Sequence, residues 1–162
     1  MTEYKNKKPN DYKELFKRYL TYSNDKIDPV DFVLTAPNNS DKVDKYINGI
    51  EKFLSDKSVF IHPKSNAKYN HASQITMTQL RRMYGDLKKI DVNGADQVIL
   101  SQIKLKRIQL TYIAGRQEKL EAKFFCQLLI EAIKRMQTKG EFENFMRFFD
   151  AIISFHKYHD KK

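Results

Sequence analysis

The chain has 162 residues, of which 41% are hydrophobic and 31% are charged, a composition typical of a globular protein rather than a disordered one. No run approaches the roughly 20 apolar residues that cross a bilayer, and the opening segment MTEYKNKKPNDYKEL lacks the apolar centre of a secretory signal. The single cysteine, Cys126, excludes an intramolecular disulfide and fits a cytoplasmic protein, and we expect it to pack in the core.

The net charge of +10 is concentrated in the middle of the chain. Residues 1–56 contain ten basic and ten acidic residues, residues 57–116 contain eleven and three, and residues 117–162 contain nine and seven. A local excess of positive charge suits a polyanion, either nucleic acid or an anionic membrane surface. A solvated basic surface without a partner would have the same composition.

Two amphipathic patterns open the chain, near residues 10–22 and near residues 41–55, and both have the spacing of apolar residues that is typical of a helix. Between them, the segment DKIDPVDFVLTAPNN contains Pro29 and Pro37, and we interpret it as a connector. Long periodic segments continue to the C-terminus, without strand pairs that have hairpin chemistry. The fold is therefore predicted to be all-α, a compact helical bundle of about five to six helices.

The length of the chain fits one domain, so residues 1–162 are predicted to form a single helical domain. Residues 1–38 would be an N-terminal extension packed on or beside the bundle. Residues 56–74 are polar, contain Pro63 and show no period, which predicts a long basic loop.

The segment ITMTQLRRMYGDLKKI has the signals of a helix start. Thr76 and Gln79 have the spacing of a capping box, and Ile75 and Leu80 have the spacing of a hydrophobic staple. The apolar residues that follow at helical spacing predict a buried face formed by Leu80, Met83, Tyr84, Leu87 and Ile90.

Two arginines in this helix form a candidate phosphate site. Arg81 and Arg82 fall near its N-terminal end, where the helix dipole and free amides favour anions. Lys64 and Lys68 in the preceding loop could add further phosphate contacts. An ordinary solvated surface is the alternative interpretation for these residues.

After a turn at DVNGAD, a helix of about twenty residues is predicted over 97–116. Its apolar residues fall on two sides, one with Val98, Leu105, Ile108 and Tyr112 and the other with Ile99, Ile103, Leu110 and Ile113. Two apolar sides predict a helix sandwiched at the centre of the bundle. The remaining strip contains Gln97, Lys104, Arg107 and Thr111, so the surface left open would be cationic.

At the end of this helix, Arg116 falls on an apolar side next to Leu105 and Tyr112. An arginine there must extend to solvent, pair with a carboxylate or meet a ligand. Gly115 would end the helix, and its lack of a side chain would also allow a partner to approach closely.

Two further helices are predicted, over about 118–138 and 141–158, with Gly140 breaking the chain between them. The aromatic residues of the last helix recur at helical spacing and predict a core face formed by Phe142, Phe145, Phe149 and Ile152. His156 falls on the same face and is interpreted as a core histidine. We find no metal-ligand cluster, phosphate-binding glycine loop or nucleophile motif, so we expect no cofactor, no metal and no catalysis.

Three blocks in this order, TQLRRMYGDL, KLKRIQLTYIAGR and FENFMRFFDAIISFHKYH, resemble the small subunit of type III-A CRISPR (Csm) effector complexes. The blocks cover roughly residues 75–160. The resemblance implies a non-catalytic helical bundle in antiviral defence, present in several copies that stack into a filament beside other Csm subunits. Its RNA partners would be guide (CRISPR) RNA and target RNA, and no membrane would be involved.

The resemblance also suggests which cations contact the RNA backbone. The basic residues within the matching blocks are Arg81, Arg82, Lys104, Arg107 and Arg116. Lys64 and Lys68 lie outside the blocks, so their RNA-binding role depends on their charge alone.

Three other functions remain open from the residues. TMTQLRRMYG could be the recognition helix of a helix-turn-helix DNA-binding regulator, although such a motif needs a short helix just upstream. A bundle that only binds proteins could use its phenylalanine-rich last helix. A ribonuclease that depends on His156 would show cleavage by the purified chain.

Overall fold

The computed structural model describes residues 11–17, 19–20, 28–55, 77–116 and 120–160. These residues form eight α-helices, named in chain order: α1 (Tyr12–Lys17), α2 (Pro29–Leu34), α3 (Ser40–Ser55), α4 (Met77–Lys88), α5 (Asp96–Leu105), α6 (Arg107–Gly115), α7 (Leu120–Arg135) and α8 (Lys139–Asp160). The all-α bundle predicted from the sequence is confirmed. The helices outnumber the five to six predicted for two reasons. Helix α2 forms in the segment predicted to be a connector, and the long helix predicted over 97–116 is divided into α5 and α6.

Helices α7 and α8 supply most of the core. Helix α7 packs against α1, α2, α5 and α6, and α8 packs against α2, α3, α4 and α5. The aromatic face predicted for the last helix is confirmed, since Phe142, Phe145, Phe149 and Ile152 are all buried. Cys126 of α7 is buried as expected, and burial raises the pKa of its thiol to about 12.

The prediction of a connector between the first two amphipathic patterns is wrong, because residues 29–34 form α2. Pro29 occupies the first turn, where a missing N–H costs nothing, and Asp28 caps the helix by accepting a hydrogen bond from the N–H of Val30 at 2.9 Å. Phe32 stacks on Tyr46 of α3, with ring centroids 4.7 Å apart. The proline therefore starts a buried helix instead of interrupting the chain.

Helix α1 is shorter than the pattern over 10–22 suggested. It ends at Lys17, and residues 18, 21 and 22 lie outside the described part of the chain. Phe16 of α1 is buried against Phe53 of α3 and Phe125 of α7, with ring centroids 5.0 and 6.5 Å apart. The N-terminal segments thus contribute side chains to the core.

The prediction that Gly140 breaks the chain between the last two helices is wrong. Helix α8 already begins at Lys139, and the break lies at residues 136–138. Thr138 Oγ1 accepts a hydrogen bond from the N–H of Glu141 at 3.1 Å, and Glu141 Oε1 accepts one from the N–H of Gln137 at 3.1 Å. This reciprocal capping fixes the start of the helix at a threonine–glutamate pair.

The helix predicted over 97–116 is divided into α5 and α6 at Lys106. The N–H of Lys106 bonds to the carbonyl of Ile103 at 3.0 Å, as in a 3₁₀ turn, and the N–H of Leu110 resumes the α-helical pattern to Lys106. The chain keeps its direction through this turn, so the side chains of α5 and α6 lie on common faces.

Helix α4 matches the prediction over its described length. Leu80, Met83 and Leu87 are buried, and Tyr84 and Ile90 pack against the core at its margin. The expected partners Ile75 and Thr76 at its start, like the whole 56–74 loop, lie outside the described residues.

Candidate nucleic-acid interface

One side of α5 and α6 packs against the bundle as predicted. The buried residues on this side are Ile99, Leu100, Ile103, Leu110 and Ile113. Helix α6 packs mainly on α7, and α5 contacts both α7 and α8. This side positions the two helices at the surface of the bundle.

The expectation of a sandwiched helix is wrong, because the opposite side of α5 and α6 is exposed. Val98 is 55% exposed, Leu105 65%, Ile108 73% and Tyr112 64%. We call these four residues the α5–α6 stripe. Helical periodicity places these four residues on one apolar side of the helix. It contains no information on whether another part of the chain covers that side.

Lys104 and Arg107 lie beside this stripe and line one groove with α7. The groove has a volume of about 530 Å³, and its lining comprises Lys104, Leu105, Arg107, Ile108, Thr111, Ile130 and Lys134. We call it the basic groove. Because Lys104 and Arg107 are three residues apart, their side chains project on the same side of the helix.

The backbone anchors both cations within the basic groove. Lys104 Nζ donates to the carbonyl oxygen of Lys134 at 3.3 Å, near the C-terminal end of α7, where the helix dipole favours a cation. Arg107 Nε donates to the carbonyl of Lys104 at 3.4 Å. These contacts leave donors on the ammonium and guanidinium groups for a further ligand.

Lys134 is a basic-groove residue that the sequence interpretation missed. Its ammonium group lies 3.0 Å from Glu131 in an exposed ion pair. It is 30 residues from Lys104, so only the packing of α6 on α7 brings the two together. The cluster of Lys134 and Arg135 at the end of α7 was the available signal, but basic residues there are common for dipole reasons alone.

Arg116 neither extends freely nor pairs with a carboxylate in the described part of the chain. Its guanidinium carbon lies 5.6 Å from the ring centroid of Tyr112, and its Nη1 donates to the tyrosine hydroxyl at 3.3 Å. Such a cation–π contact orients the arginine over the end of the α5–α6 stripe. Gly115 is the last residue of α6, as predicted, and nothing lies within 4 Å of the position a Cβ would occupy there.

Arg81 and Arg82 are both exposed in the second turn of α4 but point in different directions. Consecutive helix residues are separated by about 100°, so the two side chains leave the helix in different directions. Arg81 shares its side of α4 with Lys88, seven residues later, whose ammonium group lies 5.6 Å from the centroid of the Tyr84 ring. A phosphate site formed by both arginines stays a prediction.

A second groove lies on the other side of the α5–α6 stripe, against α4. Its volume is about 750 Å³, and its lining comprises Asp86, Lys89, Ile90, Gln102, Leu105, Lys106, Ile108, Gln109 and Tyr112. We call it the α4 groove. Asp86 Oδ2 accepts a hydrogen bond from Gln109 Nε2 at 3.3 Å, which joins α4 to α6 across its floor.

The predicted cations therefore separate into groups. Lys104 and Arg107 share one groove, whereas Arg81, Arg82 and Arg116 lie elsewhere. Within the described residues, none of these five lies within ion-pair distance of a carboxylate. Lys64 and Lys68 lie outside the described residues.

His156 is buried on α8, which confirms its placement in the core. Among the residues that the structure describes, no three His, Cys, Asp or Glu side chains are arranged to hold a metal ion. In the same part of the chain, no helix is long and apolar enough to cross a membrane. The segment just upstream of α4, which a helix-turn-helix would need, falls in 56–76 and lies outside the described residues.

The model of the Csm2 Type III-A family matches residues 56–162, which include both grooves and the α5–α6 stripe. No curated protein and no solved structure matches the chain.

Proposed function

Because the chain belongs to the Csm2 type III-A family, we propose that it is the non-catalytic small subunit of a CRISPR RNA-guided effector complex and contacts the RNA backbone through its basic groove. In this proposal several copies stack along the complex, beside other Csm subunits. The observation that supports RNA contact best is the convergence of Lys104, Arg107 and Lys134 on one open groove.

Three cations in one groove are suited to phosphates rather than to bases. Lysine and arginine attract the negative backbone independently of sequence, and guide–target pairing already supplies the sequence information. Thr111 also lines the groove, but its hydroxyl already donates to the carbonyl oxygen of Arg107 at 2.7 Å, so the cationic groups supply most of the attraction for RNA. Arg82 and Arg116 could extend the contact along the strand, each as a separate point of charge.

The experiment combines the substitutions Lys104→Glu and Arg107→Glu and measures binding of the purified chain to single-stranded RNA at several salt concentrations. We expect at least a tenfold loss of affinity at low salt. The loss of two phosphate contacts should also lower the slope of log affinity against log salt by about 1.4, at roughly 0.7 per contact for a single strand.

The matched control combines Lys45→Glu on α3 with Lys157→Glu on α8, two exposed lysines away from the groove. It changes the net charge by the same amount and should change affinity far less. Equal losses in the two variants would mean that only total charge matters, which would contradict the groove.

Assembly is tested separately, by affinity purification of a tagged chain from its host. We expect large Csm subunits and guide RNA to co-purify with the wild type and with both variants. Their absence from the wild-type sample would refute the subunit role. Binding of one duplex DNA sequence in preference to RNA would favour the helix-turn-helix alternative.

A further inference from the structure

The α5–α6 stripe is an apolar surface without a cover in the described part of the chain. Its four side chains are each more than half exposed, and they span residues 98–112, roughly 21 Å at a rise of 1.5 Å per residue. Single exposed apolar residues are common, but Leu105, Ile108 and Tyr112 form a row beside a groove, which is typical of a protein contact surface. Leu105, Ile108 and Tyr112 of the stripe also line the α4 groove, together with Ile90.

Charge limits what can cover this surface. Lys89 and Lys106 border the α4 groove, and Lys104 and Arg107 lie on the other flank of the stripe. Two copies meeting stripe to stripe would bring these cations together, which costs free energy. The occupant should therefore have acidic residues beside an apolar row.

Helix α3 of the same chain has that pattern on its exposed side. Val43 is 36% exposed and Ile47 is 40% exposed, and as an i, i+4 pair they form a short apolar row. Asp44 is exposed and lies three residues before Ile47, so it borders this row. Glu51, four residues after Ile47, lies on the same border.

The two surfaces belong to different parts of the bundle. Helix α3 packs on α8, whereas α6 packs on α7. A contact between them across two copies is consequently head to tail, and it leaves one α3 and one stripe unused at the ends of the assembly. Such a contact can repeat, which a face-to-face contact cannot.

We propose that the α4 groove and the α5–α6 stripe of one copy bind α3 of the next copy, with Val43 and Ile47 against the stripe and Asp44 near Lys106 or Lys89. The inference rests on the proposed function, since it assigns the surfaces through which copies stack. It leaves Lys104 and Arg107 on the opposite flank for RNA.

The test uses two variants that each block one surface. Ile108→Glu places a charge on the stripe, and Ile47→Glu places one on α3. Both residues are exposed, so both variants should fold, which circular dichroism checks. Sedimentation velocity of the full chain at rising concentration then measures association.

We expect the wild type to form a series of oligomers, and each variant alone to remain monomeric. Mixed in equal amounts, the variants should form a dimer and nothing larger, because each supplies the surface that the other lacks. The substitution Lys106→Glu should weaken association at least fivefold, and Asp44→Lys in the same chain should restore most of it.

Three results would overturn the inference. The wild type could remain monomeric up to about 1 mM, the Ile47→Glu variant could associate as well as the wild type, or the mixture could fail to form dimers. Dimers of Ile47→Glu that disappear in Ile108→Glu would indicate a stripe-to-stripe contact instead. Any of these results together with the expected RNA-binding loss would leave the proposed RNA contact intact, and the reverse combination would refute only RNA contact.

Discussion

Gly49 and Gly85 show how the same residue type can have opposite roles inside a helix. At Gly49 of α3, an added Cβ would lie 2.5 Å from the carbonyl oxygen of Tyr19, so the missing side chain permits close packing of two backbones. At Gly85 of α4, an added Cβ would meet nothing within 4 Å. The sequence shows two mid-helix glycines and does not distinguish them.

The substitution Gly49→Ala should destabilise the protein, and Gly85→Ala should stabilise it. A clash with a backbone atom costs about 1–3 kcal/mol, which exceeds the helix-propensity gain of about 1 kcal/mol for replacing glycine. Without a clash, Gly85→Ala retains that gain. Urea unfolding of the two variants measures both effects, and stabilisation by Gly49→Ala would show that α3 does not approach Tyr19 so closely.

At the scale of single elements, α2 is held in place from both ends by polar contacts. Asp28 caps its start and lies 3.1 Å from Nη1 of Arg135 at the end of α7. At its other end, the carbonyl of Leu34 accepts a hydrogen bond from Asn144 Nδ2 of α8 at 2.8 Å. A six-residue helix is too short to be stable alone, so these contacts and its buried face determine its formation.

The acid stability of the protein should depend on Asp28. Burial raises the pKa of this carboxyl, but the N–H of Val30 and the guanidinium of Arg135 outweigh burial, so its pKa lies below the ordinary value. A lowered folded-state pKa means that the stabilisation is fully present above the unfolded pKa, about 3.9, and is lost as the pH falls through the folded pKa.

Asp28→Asn retains a capping oxygen but removes the charge, so we expect a loss of about 0.5–1 kcal/mol at pH 7. Asp28→Ala also removes the cap and should cost about 1 kcal/mol more. Unfolding free energies between pH 2 and pH 7 provide the measurement. The difference between wild type and Asp28→Asn should shrink toward acid pH, and a difference that is constant with pH would contradict an ionised Asp28.

At the scale of the whole molecule, one hydrophobic cluster joins the first helices to the last. Phe32 of α2 stacks on Tyr46 of α3 and meets Phe148 of α8 edge to face, with ring centroids 6.4 Å apart. Side chains from α1 and α7 continue the same cluster. This continuity supports the prediction that residues 1–162 unfold as one domain, which unfolding experiments must test.

The substitution Phe32→Ala should destabilise the entire chain by about 3–5 kcal/mol, because it removes a fully buried ring. Far-ultraviolet circular dichroism and tyrosine fluorescence during urea unfolding should shift together. If this variant does not fold, Phe32→Leu gives the same test at lower cost. The exposed control Val98→Ala should change stability by less than about 0.5 kcal/mol. A main transition that stays at the wild-type urea concentration would show that α2 unfolds separately.

Strong periodicity and explicit helix signals made α3, α4 and the core face of α8 predictable. The errors came where local signals were ambiguous. Pro29 was interpreted as a break, although a proline after Asp28 can also start a helix. Gly140 was interpreted as a stop, although the Thr138–Glu141 pair starts α8 before it. At Pro29 the buried side of a short helix decided the outcome, and at Gly140 the capping pair decided it.

The candidate site was only partly accessible to sequence reasoning. Lys104 and Arg107 follow from helical spacing, and the positive charge of the middle of the chain follows from counting. Lys134 does not, because it is distant in sequence and reaches the groove only through the packing of α6 on α7. The different directions of Arg81 and Arg82 follow from any helix over this segment, since consecutive residues are about 100° apart.

Residue patterns were enough to predict an all-α protein, the apolar and charged sides of its long helices and, through three blocks of residues, its family. The packing of the helices was needed to learn that one apolar side of α5 and α6 faces solvent, and that lysines from different helices share a groove. Periodicity could not predict this, because it is a local property of one helix. Burial and proximity depend on which other helices pack beside it, and those contacts join residues far apart in the chain.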